Sequence, residues 1–146
     1  MQAKPQLQSD EQEVLAANLA FYEALQALDL AKMENVWWHE DWVKCLHPGW
    51  DLIEGWEEVR ESWASIFRST AYMRVAVSRP LVHVTGDVAW VSCIENVTST
   101  FEGGFSTALI EATNIFVRRN GTWRMVHHHA APLPGRVPAG TSRTVQ

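Results

Sequence analysis

Apolar side chains come in two different rhythms along this chain, and the change between them divides it. Near the start, Leu15, Asn18, Tyr22 and Leu25 recur at helical spacing, with Leu19 and Leu28 widening the stripe. Ser9 and Gln12 fit a capping box, so the spacing predicts a helix over about 10–28. Asp29 is placed to cap a short second helix over 30–38. DWVKCLH then reads as a short strand stopped by Pro48-Gly49. After Gly55, the stripe of Trp56, Val59, Trp63, Ile66 and Phe67 predicts a third helix.

Beyond Ser69 the rhythm becomes that of strands: MRVAVS, LVHVTG, DVAWVSCIENVTSTF, FSTALIEATNIFVRR and TWRMVHHHA. Asn120-Gly121 is a strong signal for a two-residue hairpin turn, and Gly103-Gly104 a weaker one. Helices first and an antiparallel meander afterwards make an α+β domain. The sequence therefore predicts a loose start over 1–9, one domain over 10–131 and a flexible Pro/Gly-containing tail over 132–146.

Counting back from the two turns pairs Phe116 with Met125, Asn114 with His127, Ala112 with His129, and Glu95 with Ala112. Opposed residues share a side of a sheet, so Cys93, Glu95, Asn114, His127 and His129 are expected on one side and His128 on the other. A one-residue error in either turn reverses the strand concerned.

The 146 residues suffice for one core, and a hydrophobic share of 47% is that of a globular chain. A net charge of -5, with basic residues scattered, argues against a nucleic-acid partner. No apolar run approaches the ~20 residues of a membrane span. Cys45 and Cys93 form no CxxC pair and read as reduced thiols of a cytoplasmic protein. Eight tryptophans are unusual, and five fall between positions 37 and 56. Such a cluster lines a pocket or an interface, or fills a core. Trp37, Trp50, Trp56 and Trp63 are the candidates for contact with a small apolar or aromatic ligand.

Four segments in order, FYEALQALDLAKMENVWW, a strand ending in HPGW, GWEEVRESWASIF and NIFVRRNGTWRMVHHHA, resemble the nuclear transport factor 2-like superfamily. Within it the resemblance is to SnoaL-like and ketosteroid isomerase-like members, over roughly residues 11–131. It implies three N-terminal helices packed in a strongly curved antiparallel sheet, a cystatin-like cone, usually as a homodimer. Relatives of this kind include isomerases, polyketide cyclases and dehydratases as well as non-catalytic binding and assembly modules, so the activity has to come from the site. Three positions compare with the steroid-isomerase members. Tyr22 stands where they carry an oxyanion-stabilising tyrosine. His47 replaces a catalytic aspartate, and Asn114 replaces a second oxyanion donor.

His47 is accordingly the candidate base, because imidazole titrates near neutrality. Tyr22 and Asn114 are candidate donors to an oxygen that gains charge. Glu95, His127 and His129 are candidate ligand contacts. A two-His-one-carboxylate metal site is the alternative use of that trio with His47, and no complete ligand motif supports it. No cofactor fingerprint is present either. The expectation is a pocket for a small molecule, with acid/base isomerase, cyclase or dehydratase chemistry; the alternative is a binding or assembly module of the same fold.

Overall fold

The computed structural model describes residues 4–134. The chain runs α1 (Lys4–Ala27), α2 (Leu30–Val36), β1 (Lys44–Leu46), β2 (Ile53–Glu54), α3 (Trp56–Ser69), β3 (Thr70–Thr85), β4 (Val88–Phe101), β5 (Gly104–Arg119) and β6 (Thr122–Pro132). The six strands form one curled sheet in the order β2-β1-β6-β5-β4-β3. All neighbours are antiparallel except β1 and β6, which run parallel.

α1 begins at Lys4, ahead of the predicted capping box, so Ser9 lies inside the helix. The extra turn is held by Leu7, which packs on the core, and by Asp10, which is buried and ion-paired to Arg118 at 2.7 Å. The loose start predicted over 1–9 is thus helical from residue 4, and residues 1–3 lie outside the described part. Of the tail predicted over 132–146, residues 135–146 lie outside it too. α1 ends in a Schellman-type turn: Leu28 N–H donates to the Leu25 carbonyl and Asp29 N–H to that of Ala24. Leu28 occupies the left-handed position there, φ 54°, where glycine is usual. Asp29 then caps α2 as predicted, its carboxylate accepting from Lys32 N–H at 3.0 Å.

MRVAVS and LVHVTG are halves of a single strand. β3 continues through a bulge between Ser78 and Leu81, where Arg79 takes φ 54° and Pro80 has no N–H to give. In the β4–β5 hairpin the turn residues are Glu102-Gly103, with Phe101 opposite Gly104. The register therefore slides by two, placing Glu95 opposite Ile110 and Val91 opposite Asn114. A slide of two leaves every side chain on its predicted side.

The β5–β6 hairpin differs in kind. Asn120-Gly121 makes the expected turn, with φ 50° and 80°, and Phe116 faces Met125. A bulge follows at Val126, so that Ile115 faces His127, Asn114 faces His128 and Thr113 faces His129. That one extra residue reverses the triplet. His128 turns inward and is buried, while His127 and His129 stand on the outer side.

The inward side of the sheet closes on the helices around Val14, Phe21, Met33, Trp37, Val59, Trp63, Val91, Phe116 and Met125.

Candidate functional site

α1 lays Asn18 and Tyr22, one turn apart, against the inner side of β4 and β5. Asn114 is fully buried there, and each of its side-chain atoms is engaged. Its Nδ2 donates to Asn18 Oδ1 at 2.8 Å and to the Tyr22 hydroxyl at 3.1 Å. Its Oδ1 accepts from His128 Nδ1 at 2.6 Å. The Tyr22 hydroxyl passes its own proton to Glu95 Oε2 at 2.5 Å and lies 3.3 Å from Cys93 Sγ. A directed chain results, from imidazole to carboxamide to phenol to carboxyl.

Burial sets the protonation of these groups. Glu95 is 3% exposed, and desolvation of its charged form raises its pKa from 4.5 to about 7, against the opposing effect of the Tyr22 hydrogen bond. The carboxyl is therefore divided between acid and anion at neutral pH. Desolvation, then the charge on Glu95, lifts Tyr22 far above the ordinary phenol range, so it stays a donor. Cys93 is pushed up to about 11, chiefly by burial, and remains a thiol. Burial, followed by the neighbouring His47, His127 and His129, holds His128 neutral.

His47 sits elsewhere. Its Nε2 is 2.8 Å from Ser62 Oγ, and the ring packs edge-on against Trp50 at 4.9 Å and Trp63 at 4.5 Å. Burial lowers its pKa to about 4. The links from His47 to the Tyr22 cluster run through Trp63 and His128, with ring centroids 6.5 Å apart for the two histidines. So of the three predicted catalytic residues, Tyr22 and Asn114 meet, and His47 touches neither.

Two hollows reach these groups. One, about 260 Å³, opens between α1 and β3 and is walled by Leu15, Asn18, Leu19, Tyr22, Val77 and Pro80. The β3 bulge shapes its rim, and Val77 is the cross-strand partner of Glu95. Its walls are almost wholly apolar, and Asn18 and Tyr22 are the members of the buried cluster that border it. The other, a groove of about 630 Å³, runs between residues 49–53 and α3, with Trp50 and Ser62 on its walls.

The four candidate tryptophans do not share a pocket. Trp37 is fully buried beside Trp56, at 6.0 Å. Trp56 is half-buried and stacks on His39 at 4.3 Å. Trp50 stands on the open groove, and Trp63 lies in the interior. His127 and His129, predicted beside Glu95, are across the sheet from it. The metal-binding alternative is thereby taken apart, and among the described residues no group of three or more His, Cys, Asp or Glu is placed to hold an ion.

Sequence reasoning missed His128, Asn18 and Ser62. Asn18 carried a signal, a polar residue on the buried stripe of α1. For His128 there was none, since nothing in the hairpin sequence marks Val126 as a bulge.

The comparisons with known proteins agree with this architecture. The model of the SnoaL-like domain matches residues 14–134. The F-box protein SKIP8 of Arabidopsis thaliana is 31% identical over 120 residues; the match covers 82% of this chain and 49% of that protein, so the chain spans about half its length. A candidate dehydratase of the nuclear transport factor 2-like family from Streptomyces avermitilis is 36% identical, with a TM-score of 0.81 over 86% of this chain and 97% of the other. A candidate calcium/calmodulin-dependent protein kinase type II association domain from Thiobacillus denitrificans is 34% identical, with a TM-score of 0.72 over 81% and 93%. With that domain covering nearly all of the described residues and three helices held in a six-stranded curled sheet, the chain belongs to the SnoaL-like domain family, of the nuclear transport factor 2-like fold.

Proposed function

We propose that this chain binds a small, mainly apolar carbonyl compound in the hollow between α1 and β3 and exchanges protons with it through Tyr22 and Glu95. The observation that carries this reading is the Glu95 carboxyl, buried in the sheet at 2.5 Å from the hydroxyl of Tyr22, a residue that borders an apolar hollow. A buried carboxyl costs stability, and a pKa near the working pH suits it to general acid or base work. Protonated Glu95 gives its proton to Tyr22 as Tyr22 gives its own to the ligand oxygen, water takes the proton from the carbon next to the carbonyl, and a proton returned from solvent to carbon with the reverse relay restores Tyr22 and Glu95. Asn114 fixes the phenol and His128 fixes Asn114. The volume of about 260 Å³ sits near the lower end of small-molecule sites, about 300–1,000 Å³, and points to a ligand of one or two rings. Similarity to a candidate dehydratase favours isomerisation or dehydration next to a carbonyl.

A panel of aromatic ketones in deuterated water tests this without knowledge of the natural substrate. The expected result is enzyme-dependent exchange of the proton next to the carbonyl, lost in Glu95→Gln and Tyr22→Phe, with ligand-induced NMR shifts at Leu15, Leu19 and Val77. Exchange indifferent to Glu95→Gln, or shifts confined elsewhere, would sink the reading.

A second reading is a homodimeric assembly module. It is favoured by the outer side of the sheet, where Leu81 is 67% and Trp90 40% exposed in one contiguous surface with Val88 and Ile115. The similarity to a kinase association domain points the same way.

A further inference from the structure

The hollow between α1 and β3 and the Glu95 carboxyl adjoin the same two residues, Tyr22 and Val77, without meeting each other. Among the described residues that wall the hollow, Asn18 and Tyr22 come from α1 and Val77 and Pro80 from β3; neither Glu95 nor Cys93 of β4 is one of them. Yet the Tyr22 hydroxyl is 2.5 Å from Glu95 Oε2 and 3.3 Å from Cys93 Sγ. The pairing of β3 with β4 accounts for the separation. Val77 is directly opposite Glu95, and Cys93 falls opposite the bulge that contains Pro80. Opposed residues point to one side of a sheet, with Cβ atoms about 4.5–5.5 Å apart. An apolar side chain of β3 therefore stands beside the carboxyl on the side where the hollow opens.

Val77 is suited to be a dividing wall. Its branched Cβ restricts χ1, so the two methyl groups do not swing aside freely. It packs against the core as well as bordering the hollow. A valine offers a carboxylate no hydrogen bond and keeps water from it, in keeping with the desolvation that raises Glu95 to about 7. The other groups that face Glu95 supply no charge in place of water. Tyr22 from α1, Cys93 beside it on β4 and Cys45 from β1 all have pKa values raised chiefly by burial and are neutral at pH 7. Its cross-strand partner on β5 is Ile110.

We propose that Val77 is the partition between the hollow and Glu95, a specificity-determining residue that sets how deep a ligand enters and directs proton transfer through the Tyr22 hydroxyl instead of straight from the carboxyl. It rests on the proposed function for the proton route alone; the depth of the hollow and the shielding of the carboxyl hold without turnover. The partition selects neutral carbonyl compounds with a single ring at the inner end. A fused second ring there meets the Val77 methyls, and a charged group meets apolar walls with no counter-charge.

The test uses the whole chain with two probes, acetophenone and 2-acetonaphthone, and follows the Glu95 carboxyl by carbon NMR. In Val77→Ala the Glu95 midpoint should fall from about 7 towards 4.5 as water reaches it. The same variant should bind 2-acetonaphthone about tenfold better relative to acetophenone, the low end of what one methylene of pocket fit decides. Val77→Thr keeps the shape and sets a hydroxyl beside the carboxyl, so its midpoint should fall while the ratio of affinities stays; it decides the matter if the alanine variant does not fold. Val75→Ala, opposite Val97 and outside the hollow, should change neither quantity. A midpoint unmoved by either Val77 variant, or moved as far by Val75→Ala, overturns the partition. So does an unchanged ratio of affinities in a folded Val77→Ala. The two readings fail separately. Proton exchange lost in Glu95→Gln beside an unmoved midpoint in Val77→Ala sinks the partition alone. A midpoint that falls in a protein that exchanges no ketone proton sinks the catalytic reading alone.

Discussion

Replacing Glu95 with glutamine should stabilise the protein at high pH and not at low pH. Glutamine keeps the shape and the oxygen that accepts from Tyr22, and it never ionises. The wild-type carboxyl has a folded pKa raised from 4.5 to about 7. Below pH 4.5 it is protonated in both folded and unfolded chains and weighs on neither. Between the two values the folded state holds more protons than the unfolded one, so wild-type stability falls as pH rises. At about 1.4 kcal/mol per pKa unit, the loss reaches roughly 2 kcal/mol by pH 6 and roughly 3 kcal/mol by pH 8. His47, lowered to about 4, works in the opposite direction, costing stability as pH falls below 6.5. That contribution is common to both proteins and cancels in their difference at each pH. Urea unfolding of wild type and Glu95→Gln from pH 4.5 to 8 gives the difference directly. A Glu95→Gln advantage that grows by roughly 3 kcal/mol across this range is expected. A flat difference would mean that Glu95 titrates like an exposed carboxyl. A difference that shrinks with pH would mean that the anion, not the acid, is the favoured buried form, and the account would be wrong.

Two further outcomes follow from the packing. Phe21 is fully buried and sits between Tyr22 at 4.8 Å, His128 at 4.7 Å and Trp63 at 5.6 Å, so Phe21→Ala should cost about 3–5 kcal/mol in chemical denaturation. A cost below 1 kcal/mol would mean that these rings do not form a close-packed wall. If the outer side of the sheet pairs two copies, Trp90→Glu should convert a dimer to a monomer in sedimentation equilibrium; a wild-type monomer at high concentration would remove the assembly reading.

How much of this was legible in the sequence depended on the kind of error each feature tolerates. A helix stripe carries its own phase, so α3 appears where its spacing puts it, while α2 starts behind the Asp29 cap and ends at Val36, two residues short of the expected 38. The start of α1 was hidden because its hold is tertiary: Asp10 is drawn into the helix by Arg118, which lies 108 residues further on. The two hairpins show the same contrast. An even slide in β4–β5 left Glu95 beside Tyr22, so that part of the site survived a wrong turn position. The single extra residue at Val126 exchanged His128 for His127 and His129, and with it the identity of the inward imidazole. The tryptophans misled for another reason. Their density along the chain is high, but α2, the 49–53 segment and α3 carry them to separate places, and composition holds no information about that.

The most direct measurement is the titration of the Glu95 side-chain carboxyl by carbon NMR, followed from pH 4 to 9 in the wild type and in Tyr22→Phe. The account predicts a wild-type midpoint near 7 and a higher one in the variant, because the phenol hydrogen bond that favours the anion is gone. A wild-type midpoint near 4.5, unmoved by the loss of the Tyr22 hydroxyl, would contradict it.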